Sequence, residues 1–331
     1  MQAVQIADYG GREQLRVADV SVPEPDKGEA LVQLAYAGVN FIDVYMREGH
    51  YRYSATYGTP LPFTLGMEGG GTVAAVGSQV RGIKPGDRVA YCLSRGSYAQ
   101  YAVVPTWKLV KVPQAVPLDI ATALMLQGCT AHYLSHSLVH LGPEHSCLVH
   151  AGAGGVGQLL IQLARLRGAR VFATVGSEEK AAIVKRLGAE PILYRKVDFR
   201  EAVMAATGGE GVNVVYDAVG KETIDRSLRS LKRRGTCVNY GGSSGLVESI
   251  RPLDLAEAGS VFFTRPHLAH YMGDSDEIAA RATDLFGVFL GGQIKVAIDR
   301  TLPLARAAEA HAIIEGRQTK GKLLLEMPVS T

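Results

Sequence analysis

The pattern of hydrophobic positions changes character about one third of the way along the 331-residue chain. Residues 1–120 hold short apolar alternations that glycine and proline interrupt, as in 30–39, 70–80, 86–93 and 97–105. Alternation with a period of two between turn residues is typical of short antiparallel strands. The first part of the chain therefore predicts a small antiparallel barrel or sandwich.

Helical and strand-like runs alternate in the middle of the chain. Residues 118–140 have a helical pattern, and from about residue 146 strands and helices follow one another up to residue 242, with a helix expected over 221–235. Repeated βα units predict a parallel sheet that helices cover on both faces, the doubly wound α/β fold. After about residue 265 this alternation stops, so we expect the tail to fold back onto the N-terminal part.

The composition excludes several classes of function. A hydrophobic fraction of 47% and a charged fraction of 20% are ordinary for a soluble globular protein. A net charge of +3 is too small to favour nucleic acid or an anionic membrane surface. The basic segment 228–235 is interpreted as the last turn of a helix that ends at Gly235. No apolar run reaches the ~18 residues of a membrane span, and we expect no membrane association.

The four cysteines are too far apart for a structural zinc site, because none lies within three residues of another. The N-terminus has neither a basic region nor a long apolar stretch, so no export signal is expected. We therefore expect free thiols and a cytoplasmic location.

A glycine-rich stretch, HAGAGGVGQ at 150–158, carries the first functional signal. Gly152, Gly154 and Gly157 fit the G-x-G-x-x-G pattern between a buried strand and an amphipathic helix. Glycines in this context let backbone N–H groups approach a pyrophosphate at a helix N-terminus. A structural turn without a ligand is the alternative, and the spaced glycines favour a dinucleotide, with Gly154, Gly155 and Val156 among the cofactor-binding residues.

The end of the second strand indicates which dinucleotide binds. NAD-selective sites place an acidic residue there, but Gly176 and Ser177 occupy this position, and Lys180 follows one helical turn later. Arg195 could add positive charge. The two glutamates after Ser177 are interpreted as first-turn acids of a helix that Ser177 caps. The pattern favours NADPH over NADH.

Several blocks in the same order resemble one known family. They are residues 37–51, 86–91, 150–165, 173–189, 214–220, 241–245 and 263–266. The chain resembles, over essentially its whole length, the zinc-independent quinone oxidoreductases, the zeta-crystallin-like branch of the medium-chain dehydrogenase/reductase superfamily.

The resemblance implies a specific domain organisation. A GroES-like β-barrel catalytic domain would comprise 1–122 and 265–331, with a Rossmann NADPH-binding domain inserted at 123–264. The active site is expected in the cleft between the domains. Members of the family are commonly dimers or tetramers, and an apolar last strand at 259–266 suggests a homodimer that joins at the sheet edge.

No metal is expected at the site. Zinc alcohol dehydrogenases share the superfamily fold, but Asn40 and Met67 stand where their cysteine and histidine ligands would be, and Cys129 alone cannot form a catalytic zinc site. His132, His136 and His140 follow a helical spacing of four. They could form a surface metal site, but an ordinary polar helix face is the simpler interpretation.

The resemblance also implies site residues. Asn40, Tyr45 and Tyr51 would surround the nicotinamide and the substrate, with the tyrosines either donating a hydrogen bond or only lining the cleft. Further cofactor-binding residues would be Thr130, Tyr194, Tyr240, Gly241, Gly242, Ser243, Phe263, Thr264, Arg265, Arg317 and Lys322. Lys180 and Tyr194 would flank the 2′-phosphate. The alternatives are that Thr130 is only a helix hydroxyl and that Arg317 and Lys322 are solvated tail charges.

Two residues depart from the family pattern. Gln127 stands where related enzymes have a lysine, and Gly242 where some have asparagine. Both put in doubt only the details of the nicotinamide contacts.

The expected function is the NADPH-dependent, metal-free reduction of quinones. Reduction of the C=C bond of enones and enals is the alternative, because it uses the same fold, hydride and cofactor. A third possibility is a non-enzymatic role as a crystallin-like or RNA-binding protein, which the intact dinucleotide loop disfavours.

Overall fold

The structure, a computed structural model, describes residues 1–58 and 60–328. These residues form two compact units. Unit 1 comprises Met1–Cys129 and Met272–Thr331, and unit 2 comprises Thr130–Tyr271. The boundaries predicted from the sequence, after residues 122 and 264, each fall seven residues earlier than the boundaries of the units.

Unit 1 consists mainly of β-sheet. Its strands are β1 (Gln2–Ile6), β2 (Arg16–Asp19), β3 (Glu29–Val39), β4 (Phe63–Thr64), β5 (Glu68–Val76), β6 (Arg88–Cys92), β7 (Tyr101–Pro105), β8 (Val110–Lys111), β15 (Ile298–Pro303) and β16 (Lys322–Glu326). Its helices are α1 (Phe41–Arg47), α2 (Leu118–Ala123), α9 (Ser275–Leu290) and α10 (Ala307–Glu315), with a π-helical turn at Leu124–Gly128 and short 3-10 turns at Arg12–Gln14, Thr106–Lys108 and Leu304–Arg306.

The strands of unit 1 form two sheets. One has the order β15-β16-β3-β5-β6-β8, with β7 also paired to β3, and the other has the order β2-β1-β4. All pairs are antiparallel except β15 with β16. Strand β7 alternates partly exposed and buried residues, which is the two-residue period that the sequence predicted. The tail strand β16 pairs with β3, so the tail joins the N-terminal part as expected.

Unit 2 is a parallel α/β layer structure. Its strands are β9 (Ser146–Val149), β10 (Arg170–Val175), β11 (Glu190–Leu193), β12 (Val212–Asp217), β13 (Leu231–Asn239) and β14 (Phe262–Thr264). Its helices are α4 (Gly155–Leu166), α5 (Glu178–Arg186), α6 (Phe199–Ala206), α7 (Ile224–Leu228) and α8 (Pro252–Glu257), with a π-helical turn at Tyr133–Leu138 and a 3-10 turn at Leu268–Tyr271. Helix α3 (Cys129–His132) begins at the last residue before this unit.

The sheet of unit 2 confirms the predicted doubly wound fold. All its strands are parallel, in the order β11-β10-β9-β12-β13-β14, the strand order of a Rossmann domain. Strands that are covered on both faces are mostly apolar, and β10 has five consecutive buried residues, of which only Thr174 is polar. Leu148, Phe172 and Val215 belong to the core that this sheet shares with its helices.

The helix predicted over 118–140 contains two π-helical turns. They lie at Leu124–Gly128 and Tyr133–Leu138, and α3 separates them. The helical period therefore changes twice, and His140 lies beyond the last turn. His132 is buried and its ring stacks on that of His136 at 4.2 Å, so the interpretation of His132 as part of an exposed polar face was wrong.

The helix predicted over 221–235 was also wrong. Helix α7 ends at Leu228, and the basic segment lies in β13, so Gly235 does not cap a helix. Strand β13 fills the gap between β12 and β14, where Cys237 and Val238 are completely buried. Burial in the sheet outweighs the local helix preference of the charged residues.

A series of buried side chains in unit 1 is linked by hydrogen bonds, and we call it a buried chain. Arg47 can only donate, so its guanidinium bonds to an unprotonated Nδ1 of His311 at 3.0 Å. Burial, together with Arg47, lowers the pKa of His311 to about 3, so the ring is neutral and carries its hydrogen on Nε2. Nε2 lies 3.2 Å from the hydroxyl of Tyr98, which donates to Asp43 Oδ2 at 3.3 Å. The backbone N–H of Asn40 donates to the same oxygen at 2.8 Å.

This chain, from Arg47 to Asp43, fixes the start of α1. Arg47 lies at the C-terminal end of that helix and is anchored by Glu315 of α10 at 2.6 Å. Asp43 lies in its first turn and accepts from Asn40 directly before it. Both ends of the short helix are thereby held by buried hydrogen bonds, and the position of Asn40 depends on them.

Replacing Asp43 with asparagine should change how stability depends on pH. Burial raises the pKa of Asp43 to about 7, from 3.8 for the unperturbed group. The folded protein thus keeps a proton that the unfolded chain loses above about pH 4, and the resulting stabilisation disappears as the pH rises towards 7. Relative to Asp43→Asn, the wild type should lose about 1 kcal/mol for each pH unit between 5 and 7.

Urea unfolding measured at pH 5, 6 and 7 checks this, with fluorescence of the single tryptophan, Trp107, reporting on unit 1. His311 titrates with the opposite sign, but it is present in both proteins and cancels in the comparison. A free-energy difference between the two proteins that is constant over this range would contradict the assignment.

Candidate active site

The glycine-rich stretch forms a tight strand-to-helix turn in unit 2. Strand β9 ends at Val149, and α4 begins at Gly155 with Gly154 as its N-cap residue. A Cβ on Gly157 would lie 2.5 Å from the Ala151 carbonyl oxygen, and a Cβ on Gly152 would lie 2.8 Å from the Cβ of Ala173. Only glycine fits at these contacts. The unpaired N–H groups at the start of α4 can therefore meet a pyrophosphate closely.

The residues predicted to choose the nucleotide lie together at the end of β10. Gly176 follows that strand, and a Cβ on it would lie 3.0 Å from the Tyr194 hydroxyl. Ser177 is the N-cap of α5 and accepts from the backbone N–H of Lys180 at 3.3 Å, as predicted. Lys180 is therefore in the first turn, at the same end of the helix as Gly176 and Tyr194.

The glutamate charge beside this cluster has a partner. Glu178 Oε1 lies 2.5 Å from Lys196 Nζ, and both side chains are largely exposed. An exposed pair of this kind contributes little to stability, but it lowers the negative potential near the end of β10. The local charge balance is therefore compatible with an additional phosphate.

Asp217 was missed in the sequence, although it lies at the carboxyl end of a strand. Its buried carboxylate accepts from the N–H groups of Val219 and Gly220 at 2.8 and 2.9 Å. It also accepts from the hydroxyls of Thr223 at 2.8 Å and Ser227 at 2.7 Å. These bonds compensate the buried charge without a cation and fix the turn after β12.

The predicted cofactor residues Tyr240, Gly241, Gly242 and Ser243 rest on this turn. Asn239 donates its side-chain amide to the carbonyl oxygens of Asp217 at 3.2 Å and Gly241 at 2.8 Å. The backbone of Ser243 donates to the Ala218 carbonyl at 3.1 Å. The loop after β13 is thus held by the loop after β12, both at the carboxyl edge of the sheet where ligands of doubly wound folds bind.

For the remaining predicted cofactor residues, the structure gives their positions and burial. Phe263 and Thr264 lie in β14 and Arg265 follows it, all half-buried. Thr130 is buried at the start of unit 2, and Arg317 is exposed after α10 with a φ of 55°.

Unit 1 contains a buried polar network around Asn40. Asn40 Nδ2 donates to Glu68 Oε2 at 2.8 Å, and Asn40 Oδ1 accepts from Lys322 Nζ at 2.8 Å. Lys322 and Glu68 also form a direct ion pair. Gln127 Nε2 donates to Asn40 Oδ1 at 3.2 Å. We call these four residues the Asn40 network.

The charges of the Asn40 network are fully enclosed. Glu68 is 0% exposed and Lys322 is 1% exposed, so the interpretation of Lys322 as a solvated tail charge was wrong. The second oxygen of Glu68 accepts from the Leu126 N–H at 2.6 Å. A Cβ on Gly38 would lie 1.8 Å from Glu68 Oε2, so β3 can carry only glycine at this point. The sequence contained little sign of Glu68 as a site residue, because its partners lie far away in the chain, and it marked Gln127 only as a departure from the family pattern.

The predicted tyrosines lie in an aromatic cluster of unit 1. The rings of Tyr45 and Tyr51 are 6.0 Å apart in an edge-on arrangement, and that of Tyr57 lies 5.3 Å from Tyr51. Tyr45 is on α1, which Asn40 precedes directly. The structure thus brings Tyr45 and Tyr51 together on the helix and loop that follow the Asn40 network.

Asn40 and Met67 stand at the positions where zinc alcohol dehydrogenases carry zinc ligands. The Asn40 amide is bound to an ammonium group, which would repel a divalent cation. Burial raises the pKa of the Cys129 thiol to about 12. Among residues 1–58 and 60–328, no cluster of three or more histidine, cysteine or acidic side chains could hold a metal.

No helix in the described part of the chain has both the length and the apolar character needed to cross a bilayer.

Comparison with known proteins identifies two conserved domains. The family described as alcohol dehydrogenase GroES-like domain matches residues 26–114, and the family described as zinc-binding dehydrogenase matches residues 155–287. Both agree with the predicted fold class.

Full-length relatives narrow the assignment. A 2-haloacrylate reductase from a Burkholderia species is 40% identical over 98% of both chains. Quinone oxidoreductase 1 of Escherichia coli is 37% identical over 97% of this chain and 98% of that protein. The crystal structure of an Escherichia coli quinone oxidoreductase complexed with NADPH superposes with a TM-score of 0.94 and covers 98% of this chain and 100% of that one.

The match extends over both units, and it confirms the resemblance predicted from the sequence blocks. The chain belongs to the quinone oxidoreductase family of the medium-chain dehydrogenase/reductase superfamily.

Proposed function

We propose that this protein is an NADPH-dependent quinone reductase that works without a metal ion. The main support is its similarity over nearly the whole length to quinone oxidoreductases of Escherichia coli and Pseudomonas aeruginosa, at 37% and 39% identity. The dinucleotide loop of unit 2 and the buried Asn40 network of unit 1 provide the local chemistry.

NADPH is the cofactor that the residues fit. The Gly152–Gly157 turn accepts a pyrophosphate, and no acidic residue ends β10 to bind a free 2′-hydroxyl. Lys180 and Tyr194 are proposed to bind the 2′-phosphate beside Gly176. Two similar structures, from Escherichia coli and from a mycobacterium, are NADPH complexes.

The Asn40 network fixes the orientation of the hydrogen-bonding groups in the proposed reaction site. When bound, NADPH supplies a hydride that, with one proton from solvent, reduces a quinone to a hydroquinone. Lys322 and Glu68 hold the Asn40 amide in one orientation, so the site needs no reorganisation as charge develops. Tyr45 and Tyr51 are proposed to shape the acceptor pocket, and a phenol hydroxyl there can donate to a developing oxyanion.

Zinc independence is part of the proposal. It is supported by the side chains at the relevant positions, an amide at Asn40 and a thioether at Met67, and by the ammonium of Lys322 beside Asn40. Quinones accept electrons without the help of a Lewis acid, so the chemistry does not demand one.

Reduction of activated C=C bonds is the second candidate. The 2-haloacrylate reductase relative takes a substrate whose double bond is conjugated to a carboxylate. The enoyl reductase CurK is similar in structure, with a TM-score of 0.88 at 27% identity. The same hydride and the same fold serve both reactions, so only the acceptor pocket separates them.

We also propose a homodimer joined at the edge of the unit 2 sheet. Strand β14 ends the strand order, and its Phe262 is 62% exposed. An exposed apolar edge strand favours pairing with a second copy.

A cytoplasmic location completes the proposal. All four cysteines are free and buried, which fits a reducing compartment. Cell fractionation would check it.

Steady-state NADPH oxidation should be fastest with ortho- and para-quinones. We expect enals and enones to react at least about tenfold more slowly in kcat/KM, because a quinone accepts a hydride more readily. Rates should not change after treatment with a metal chelator. Turnover of primary alcohols with NAD, or loss of activity with the chelator, would contradict the assignment.

The same assay on Tyr45→Phe and Tyr51→Phe defines the role of the hydroxyls. If the rings only shape the pocket, KM should rise while kcat stays within a few-fold of the wild type. A fall in kcat beyond about a hundredfold at unchanged KM would instead assign a direct donor role.

Lys180→Ala should weaken NADPH binding by about tenfold or more and leave NADH binding nearly unchanged. The reason is the loss of a charge-assisted hydrogen bond to the 2′-phosphate, which only NADPH carries. Titration of both nucleotides by fluorescence measures the effect. Lys185→Ala, an exposed lysine on the same helix, is the matched control and should affect neither. Equal weakening of both nucleotides would remove Lys180 from the phosphate site.

Phe262→Asp should convert the proposed dimer into a monomer, because it places a charge on the pairing edge. Sedimentation velocity of the wild type and the variant measures the mass. Leu166→Asp, at another exposed apolar position of unit 2, should leave the mass unchanged. A monomeric wild type would refute the dimer.

A further inference from the structure

Gln127 is placed in the Asn40 network by an irregular helix. It lies in the π-helical turn Leu124–Gly128, directly after α2. The preceding residue, Leu126, donates its N–H to Glu68 Oε1. Such turns widen a helix and re-aim its side chains, often at functional sites. Here the turn directs Gln127 at Asn40.

The two charges determine the orientation of the Asn40 amide. Lys322 can only donate and lies beside Oδ1, whereas ionised Glu68 can only accept and lies beside Nδ2. If the amide were reversed, Nδ2 would face the Lys322 ammonium and Oδ1 would face the Glu68 carboxylate. Donor would then meet donor, and acceptor would meet acceptor. Asn40 Oδ1 is therefore an acceptor of fixed position.

The orientation of Gln127 follows from that of Asn40. Its Nε2 donates to Asn40 Oδ1 at 3.2 Å, and a reversed amide would bring two carbonyl oxygens together. Gln127 Oε1 must then point away from Asn40. This oxygen is fully buried, and it has no hydrogen-bond partner among the residues that the structure describes.

A buried carbonyl oxygen without a donor is rare, because it loses its bonds to water and gains none. The orientation of Gln127 cannot relieve this, since the ion pair fixes it. The oxygen is thus an acceptor that lacks a donor, on the side chain that bonds to Asn40. Quinones and enones carry only acceptor groups, so they cannot satisfy it.

We propose that Gln127 is a specificity-determining residue whose Oε1 accepts a hydrogen bond from an N–H or O–H group of a bound ligand. This inference rests on the proposed function. That function supplies two ligands with such a donor, the carboxamide of the nicotinamide ring and the hydroxyl of the hydroquinone product. Both present the same chemistry, and matched pairs of ligands separate them.

Gln127→Met tests the assignment, because methionine has similar length and lacks the amide oxygen. The first pair of ligands is NADP⁺ and its 3-acetylpyridine analogue, which has a methyl group in place of the carboxamide nitrogen. The second pair is 1,4-naphthohydroquinone and its dimethyl ether, titrated anaerobically into NADP⁺-saturated protein. Dissociation constants are measured by calorimetry.

The variant should weaken the donor member of one pair by about tenfold and leave its donor-free partner within about twofold. A change confined to the first pair assigns the carboxamide, and a change confined to the second pair assigns the hydroxyl. Equal weakening within both pairs, or no weakening in either, would overturn the proposal.

Two controls keep the result interpretable. Gln114→Met makes the same substitution at an exposed position of unit 1 and should change no constant. Gln127→Leu removes the same oxygen in a different shape and should reproduce the selective loss if Gln127→Met does not fold. A wild type that binds neither NADP⁺ nor NADPH would instead refute the proposed function.

Discussion

The ion pair between Lys322 and Glu68 is the interaction on which the arrangement of unit 1 depends. Removing two charges from water is costly, and the attraction between them compensates only when the remaining hydrogen-bonding groups are satisfied. Here Asn40 and the Leu126 N–H supply those bonds. Loss of one partner would leave an uncompensated buried charge, which typically costs about 3–5 kcal/mol. The pair therefore acts as a constraint that fixes the position of each neighbour.

The pair also explains why distant segments of unit 1 meet at one point. Lys322 begins the tail strand β16, Glu68 begins β5, and Asn40 follows β3. The π-helical turn contributes the fourth partner, Gln127. The same constraint extends through Asn40 and its N–H to Asp43 and the buried chain that ends at Arg47. Asn40, in the proposed reaction site, is thus held by polar contacts of both its side chain and its backbone.

The proposed site in unit 2 has to bind a charged ligand, and it uses different groups from those of unit 1. Its ligand is expected to bring its own charge, so the site offers backbone N–H groups, small residues and exposed cations. The buried carboxylate of Asp217 holds the loops through hydrogen bonds from two backbone N–H groups and two hydroxyls. Unit 1 thus encloses the charged groups that orient their neighbours. Unit 2 exposes cations where an anionic ligand is expected to bind and leave.

The sequence predicted what local patterns determine and missed what long-range contacts determine. The parallel sheet, the turn before α4 and the Ser177 cap follow from periodicity and glycine spacing within about 20 residues, and all were confirmed. The basic segment at 228–235 was misjudged because its charges favour a helix locally, whereas burial between β12 and β14 is a tertiary effect. The sequence left open whether Lys322 is a solvated tail charge or a site residue, since its partner lies 254 positions away.

Lys180 and Lys322 show why residue type alone could not define the site. Both lysines were expected to contact the cofactor, and both carry the same charge. Lys180 lies half-buried in the first turn of α5, beside the end of β10. Lys322 is enclosed, and its ammonium already donates to Asn40 and Glu68. These two hydrogen bonds let the Lys322 ammonium orient its neighbours. The groups that unit 1 offers to a ligand are therefore the amides oriented by Lys322, and not the charge of Lys322 itself.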